Sequence, residues 1–320
     1  MTWQPGVGRR ALICGSVAYD TILVFPDRFK AHILPDKLHI LNVSFLVPEM
    51  RREFGGCAAN IAYGLKLLDD LGLPMAAAGR DFGPYRQRLL ELGIAVDYIK
   101  EIPDAFTAQA YITTDLDDNQ ITAFHPGAMQ YAHLNDIAAV AGDIALGIVA
   151  PDGRQAMIEH AAQFAAAKIP FIFDPGQGLP MFGRDELQTF IGQATWVAVN
   201  DYEWGMLQQK LGLTAADLMD KVEALIVTRA ADGSVIHTKG RVLEIPCVQP
   251  RAVVDPTGCG DAYRAGLLHG LLHGLEWEAI GRVASLMGSF KIESRGPQNY
   301  RFTRAEFERR YLESFGDGFG

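Results

Sequence analysis

Asp255-Pro256-Thr257-Gly258-Cys259-Gly260-Asp261-Ala262-Tyr263-Arg264-Ala265-Gly266 is the stretch from which the rest of the chain can be understood. A strand-like run, Arg251 to Val254, leads into this glycine-rich turn, and Leu267, Leu268, Leu271 and Leu272 then follow at helical spacing. Glycines let a backbone approach a ligand closely. The first amides of a helix lack internal acceptors and face whatever lies beyond its N-terminus, where the helix dipole favours an anion. Asp261 would repel that anion unless it had another task. A carboxylate beside an amide cradle can take a proton from an attacking hydroxyl while the amides hold a transferring phosphoryl group. The plainer alternative is an Asp cap on a helix that merely turns through glycines, and the segment alone leaves both open.

Outward from this segment, short apolar runs alternate with longer helical stretches. Residues 11–18, 169–174, 196–200, 224–228 and 234–238 predict strands. Residues 58–71, 83–92, 153–167, 203–211 and 261–274 carry apolar side chains every three or four positions and predict helices. Strands separated by helices imply right-handed crossovers and a mostly parallel, doubly wound sheet covered on both faces, with ligands at the carboxyl ends of the strands. The stretches 21–54 and 104–130 break the alternation, and within the second, residues 110–114 and 120–124 around an Asp-rich turn predict a hairpin. Such excursions suit either a small β-flap over the sheet end or ordinary surface hairpins. With no repeat or clean linker, the 320 residues read as one α/β domain with an appendage.

Composition narrows the chemistry. The chain is 49% hydrophobic and 21% charged, as expected of a globular protein, and its net charge of −9 with no basic run argues against nucleic-acid or anionic-membrane partners. The four cysteines, Cys14, Cys57, Cys247 and Cys259, form no CxxC pair, which argues against a zinc site and for a reduced, cytoplasmic location. No apolar run approaches the roughly 18 residues a membrane helix needs. Arg9-Arg10 followed by Ala11 to Ala18 imitates a signal peptide, but the short run reads as a first buried strand behind a polar leader.

Three more segments carry polar groups suited to a ligand. Gly55-Gly56-Cys57-Ala58-Ala59-Asn60 opens a helix with small residues and an amide that can bind hydroxyls; tight packing of a glycine-rich helix start explains it equally well. Asn200-Asp201-Tyr202-Glu203 places an amide and a carboxylate one turn apart, suitable for a hydrated magnesium ion beside phosphates, or for a plain N-cap with a surface Glu. Thr228-Arg229-Ala230-Ala231-Asp232-Gly233 is a turn between two strands, by itself no more than a hairpin. No Walker A, HExxH, protein-kinase or GxGxxG sequence occurs, and the last absence argues against a dehydrogenase.

The order and spacing of these four segments resemble the ribokinase-like (PfkB) family of carbohydrate and nucleoside kinases, over nearly the whole chain from Gly15 to about Asn299. The resemblance implies a doubly wound α/β fold with a β-lid built from the excursions 21–54 and 104–130, and phosphoryl transfer from ATP with Mg²⁺ to a hydroxymethyl group. Residue by residue, it implies Asp261 as catalytic base, the amides of Gly258, Cys259 and Gly260 as anion hole, and Asn200 with Glu203 as the magnesium–phosphate motif. Thr228, Arg229, Ala230, Ala231, Asp232 and Gly233 match the nucleotide-contacting turn. Asp20 matches the carboxylate that accepts from two sugar hydroxyls, with Gly56 and Asn60 beside it. The segments Asp261 to Gly266, Asp174-Pro-Gly-Gln177, Asp118 to Phe124 and Lys291 to Asn299 resemble prokaryotic adenosine and other nucleoside kinases more than sugar kinases. In that subgroup Gln177 contacts the substrate, and lid residues near Gln109 and Phe124 close over it.

Two departures stand out. Cys259 replaces the commoner Ala, where only a backbone amide is required, and Ala230 replaces a usual Gly in the nucleotide turn. The expectation is thus phosphorylation of the 5′-hydroxyl of a purine nucleoside, adenosine first. A sugar or sugar-phosphate kinase, with Arg51 and Arg52 as candidate cations, and a catalytically silent nucleoside or nucleotide sensor are the alternatives. Whether the chain is a monomer or a homodimer, and whether potassium is used near a loop like 251–257, the sequence leaves open.

Overall fold

Strand β1 (Arg10–Cys14) shows why this chain builds a sheet covered on both sides. Ala11 and Ile13 pack into one core, Leu12 and Cys14 into another, and all four are buried. The same alternation holds along β8 (Leu146–Val149), β9 (Phe171–Phe173), β10 (Trp196–Asn200) and β11 (Ala224–Thr228), where consecutive apolar residues divide between the two cores. The computed structural model describes residues 10–33, 40, 42–117 and 119–316. Arg9, Asp118 and part of the stretch 21–54 lie outside the described residues.

The remaining strands are β2 (Ala18–Val24), β3 (Glu49–Gly55), β4 (Leu71–Gly79), β5 (Ile99–Ile102), β6 (Ala108–Thr114), β7 (Gln120–His125), β12 (Ser234–Thr238) and β13 (Arg241–Ile245). The helices are α1 (Phe29–His32), α2 (Cys57–Leu67), α3 (Gly83–Glu91), α4 (Arg154–Ala167), α5 (Arg184–Gln193), α6 (Asp201–Leu211), α7 (Ala215–Met219), α8 (Cys259–Leu272), α9 (Trp277–Ile292) and α10 (Arg304–Phe315). A nine-stranded sheet runs β13-β12-β11-β10-β9-β8-β1-β4-β5, parallel from β11 to β5 and antiparallel across β12 and β13. Successive strands move one way from β1 through β4 to β5 and the other way from β8 to β11, so the order reverses between β1 and β8. A crevice for a ligand opens at such a point, beyond the carboxyl ends of the strands.

A separate four-stranded sheet, β3-β2-β6-β7, contains the hairpin expected at 110–124. It draws on both excursions and supplies the β-lid that the resemblance implies. Its strands begin at Ala18 and end at His125, so the boundaries 21–54 and 104–130 shift: residues 127–134 form a 3₁₀ helix instead. The run 11–18 is two strands in two sheets, because the chain turns after Cys14 and the Ser16 amide bonds to the Pro151 carbonyl at 3.0 Å. The helix expected to reach residue 71 ends at Leu67, and β4 starts at Leu71.

Arg251 to Val254 is not a strand. Val253 is 74% exposed, the amides of Val254 and Asp255 both bond to the Ile292 carbonyl, and that of Arg251 bonds to the Glu293 carboxylate. The C-terminal end of α9, rather than a neighbouring strand, takes these donors.

Candidate active site

Gly56 decides how closely the lid meets α2. Its φ is +90°, and a Cβ there would stand 2.6 Å from both the Ala18 nitrogen and the Ser16 carbonyl oxygen. Only glycine allows that approach, which sets the first turn of α2 beside β2. Asn60 in that turn is buried; its Nδ2 donates to Asp261 Oδ2 at 2.8 Å, and its Oδ1 accepts from Gln298 Nε2 at 2.9 Å. Gln298 also donates to the Tyr85 hydroxyl at 2.5 Å, which donates to the Gly55 carbonyl at 2.8 Å. This chain of partners fixes which way the Asn60 amide points.

Asp261 lies in the first turn of α8, after an N-cap, Gly258, at φ +83° whose missing Cβ would stand 2.7 Å from Pro297. Burial pushes its carboxyl up to about 6 and the nearby Asp174 charge adds to that, against the Asn60 amide and the Arg264 cation. The carboxylate is thus ionised at neutral pH yet a stronger base than an exposed one. The amide of Cys259 bonds to the Pro256 carbonyl at 3.1 Å, which departs from the expected cradle of Gly258, Cys259 and Gly260 amides. Among the described residues the open donors at this N-terminus are the amides of Gly258, Gly260 and Asp261 itself.

Two buried groups behind the turn escaped the sequence reading. The Asp255 carboxylate accepts from the amides of Thr257 at 2.9 Å and Gly296 at 2.8 Å; burial alone would raise its pKa, but these bonds outweigh it and lower the value. Lys291 is fully buried, and its ammonium donates to the carbonyls of Asp255 at 2.7 Å and Ser294 at 3.1 Å. Further along α8, Arg264 grips Asp174 in a buried two-bond pair, 3.0 Å on each arm. Asp152, after β8, is raised by burial to about 8 with one carboxyl oxygen lacking a partner. The Lys291–Asp255 and Arg264–Asp174 partners stand 36 and 90 residues apart, so no local pattern signals them; a lysine on the apolar stripe of α9 is the one available hint.

Asp20 sits on β2 opposite Glu53 on β3 and Ala110 on β6, and Ala110 sits opposite Phe124 on β7. Directly opposed residues share a face, so Asp20 and Phe124 lie on the same side of the lid. Burial, then the Glu53 and Asp255 charges, raise Asp20 to about 6, and Phe124 is 53% exposed. Gln109 lies on the opposite face, bonded to Asp81 at 3.1 Å and accepting from Tyr111 at 2.6 Å. Arg51 reaches Glu53 at 3.6 Å and Arg52 stacks 3.5 Å over the Tyr19 ring, so both cations have partners within the lid.

Asn200 and Thr228 are register neighbours at the carboxyl ends of β10 and β11. Asn200 caps α6: its Oδ1 accepts from the Glu203 amide at 2.8 Å, and its amide and Nδ2 donate to the two Glu203 oxygens at 2.8 and 3.0 Å. Locally this is the plain capping box. Each Glu203 oxygen keeps a second lone pair, and burial followed by the Asp174 charge raises its pKa. One carboxylate and one amide oxygen suit a magnesium ion that keeps most of its waters and is held chiefly by phosphates. Beyond Thr228, Ala230 stands at φ +48°, a left-handed conformation that explains why a glycine is usual there, while Arg229 pairs with Glu244. Gly233, at φ +80°, closes the turn. Gln177, in a 3₁₀ turn after β9, is exposed and bonds to none of the other site residues.

Residues 19–303 match the model of the pfkB family of carbohydrate kinases. The chain belongs to the PfkB family. It is a phosphotransferase acting on a hydroxyl group. A nucleoside kinase of Methanocaldococcus jannaschii is 34% identical over 260 residues, 80% of this chain and 85% of that protein. The structure of Burkholderia thailandensis nucleoside kinase in complex with inosine is 50% identical, with a TM-score of 0.88 over 96% of this chain and 99% of that one. The same enzyme in complex with ADP-inosine is 52% identical, with a TM-score of 0.85 over 96% and 97%. No described helix is long and apolar enough to cross a membrane.

Proposed function

We propose that this PfkB enzyme transfers the γ-phosphoryl group of ATP to the 5′-hydroxyl of a purine nucleoside, adenosine or its 6-oxo counterpart inosine. The observation that carries the proposal is the pairing of two half-buried, raised carboxylates, Asp20 on the lid and Asp261 at the N-terminus of α8, both close enough to perturb Tyr85. No hydrogen bond from the described residues reaches the Asp20 carboxylate, so it is open to a vicinal diol. Phe124 on the same lid face offers a ring for a base, which a bare sugar would leave in water. Inosine in the Burkholderia enzyme supports this choice of acceptor.

In the reaction Asp20 accepts hydrogen bonds from the ribose hydroxyls and aims the 5′-oxygen at Asp261. Asp261 takes the hydroxyl proton as the oxygen bonds to the γ-phosphorus, and the bond to the β,γ-bridging oxygen breaks to release ADP. Asn60 holds Asp261 in place, and the amides of Gly258, Gly260 and Asp261 receive the charge on the phosphoryl oxygens. Asn200 and Glu203 would hold hydrated Mg²⁺, which supplies charge neutralisation across the phosphates. The turn Thr228 to Gly233 would carry the nucleotide. Lid closure excludes water that would otherwise hydrolyse ATP.

The test is an ADP-release assay with Mg-ATP against adenosine, inosine, guanosine, cytidine, ribose, fructose and fructose 6-phosphate. Turnover confined to purine nucleosides is expected. Turnover only with a sugar or its phosphate would overturn the acceptor, and silence with all seven would favour a sensor.

A further inference from the structure

We propose that Asp70, His269 and His273 form a binding site for a first-row divalent transition cation, with zinc as its natural chemistry, at the end of the sheet opposite the active site. His269 lies eight residues beyond Asp261 on α8, which is about 12 Å along the axis. Asp70 immediately precedes β4, at that strand's amino end.

Three donor atoms already converge. Asp70 Oδ2 is 2.6 Å from His269 Nδ1, Asp70 Oδ1 is 2.9 Å from His273 Nε2, and one ligand atom from each residue lies within 4.8 Å of the others. Bonds of about 2.1 Å in a tetrahedral arrangement set donors roughly 3.4 Å apart, so a small opening of the trio admits a cation. Each imidazole nitrogen now facing Asp70 then gives its lone pair to the metal, its proton moving to the far nitrogen or to solvent.

The donors stand on rigid supports. His269 on α8 and His273, the residue that caps it, are one helical turn apart, and the His273 amide bonds back to the His269 carbonyl at 3.1 Å. Asp70 is held by the end of α2: its amide bonds back to the Leu65 carbonyl at 3.0 Å and that of Asp69 to Lys66 at 3.2 Å, with Asp69 at φ +62°. This is the Schellman closure of a helix, which leaves the Asp70 backbone little freedom.

Two imidazoles and one carboxylate select zinc, cobalt or nickel over magnesium or calcium, and three protein ligands leave a position for water. Asp70 and His269 are buried while the His273 side chain is 31% exposed, giving an entry route. Asp69 and Glu308 line the adjoining cavity and add negative potential, with Arg304 there paired to Glu308 at 2.7 Å. The scattered cysteines that argued against zinc are not involved.

The full-length protein, freed of metal with a chelator, would be titrated with Co²⁺ and then Zn²⁺, following visible absorption and thermal stability. One Co²⁺ per chain with ligand-field bands, displaced by Zn²⁺ but not by excess Mg²⁺, and a rise in Tm with Zn²⁺ are expected. His273→Ala should weaken Zn²⁺ binding at least ~100-fold, since even outer partners of metal ligands are worth 10- to 100-fold. Its Mg-ATP kinase turnover, measured without Zn²⁺, should be unchanged. Asp70→Asn should also lose the Co²⁺ spectrum, and the partly exposed His273 keeps the test decisive if that variant does not fold. No Co²⁺ spectrum in the wild type, or equal affinity in His273→Ala, would reduce the trio to a hydrogen-bonded clamp.

Discussion

At Asp261 function and stability pull in opposite directions, and pH separates them. Burial raises the carboxyl to about 6 from an ordinary value near 3.8, so between these two the native state binds more protons than the unfolded chain. Its contribution therefore favours folding at acid pH and is lost as pH rises through 6; at neutral pH the ionised group destabilises. Catalysis needs the ionised form, and Asp20, raised to the same value, must also be ionised to accept the diol, so kcat/KM should fall by more than tenfold per unit below pH ~6. Asp261→Asn should lower kcat by at least ~10²-fold while Tm stays level or rises, and a near-normal kcat would remove the base role. Asp20→Ala should act on binding: two lost hydrogen bonds to a charged group, at about 1.5 kcal/mol or more each, raise nucleoside KM at least tenfold. Unchanged KM across the nucleoside panel would refute the diol contact. Asp20 came only from the resemblance to the family, whereas Asp261 and Asn60 were legible because glycines shortly before them in sequence announce a close approach. Gln298, Lys291 and Asp255 were not, because packing across distant segments makes their partnerships: Asn60 and Gln298 are 238 residues apart.

Helix α8 carries the site at one end, and two tethers hold it there. The Arg264–Asp174 pair fastens it to the end of β9, and removing one partner leaves the other buried and charged, so Asp174→Ala should cost about 3–5 kcal/mol in urea unfolding. A loss under about 1 kcal/mol would mean the pair is not the tether. The second tether is the Lys291 ammonium on α9, bonded to the Asp255 and Ser294 carbonyls under the turn that leads to Gly258. With a built-in cation holding these carbonyls, turnover should be equal within about twofold in potassium, sodium or choline salts, and strong potassium activation would contradict this. The elements themselves were unevenly legible. Strands β10, β11 and β12 match their predicted ranges because each is a short apolar run bounded by turn residues. Strand β4 was hidden by Pro74, which lacks the amide a central strand uses, and by a run of alanines. β8 has only four residues and its apolar run is broken by Gly147, so it was missed despite the Pro151-Asp152-Gly153 turn that follows it.

At the scale of the whole molecule, the small sheet is tied to the end of β4, where the Gly79 amide donates to the Thr107 hydroxyl at 2.9 Å, and the lid presents Asp20 and Phe124 on one face. The doubly wound half could be read from alternation alone, since a parallel sheet covered on both sides leaves a continuous apolar record. The lid could not, because half-exposed strands look the same whether they cap a site or lie on the surface; only the order of the motifs implied it. If closure over nucleoside orders this sheet, hydrogen exchange in β2, β6 and β7 should slow on adding adenosine or inosine and change little with Mg-ATP alone. ATP hydrolysis without nucleoside should then run at least ~10²-fold slower than transfer, water being the acceptor that an open lid cannot position. Phe124→Ala tests the same closure from the side chain: truncating an aromatic stacking partner is worth about 1–3 kcal/mol, so nucleoside KM should rise roughly five- to a hundredfold with kcat largely kept. If exchange in the lid ignores nucleoside and Phe124→Ala binds normally, the four-stranded sheet is a fixed wall and specificity resides in the crevice of the large sheet alone.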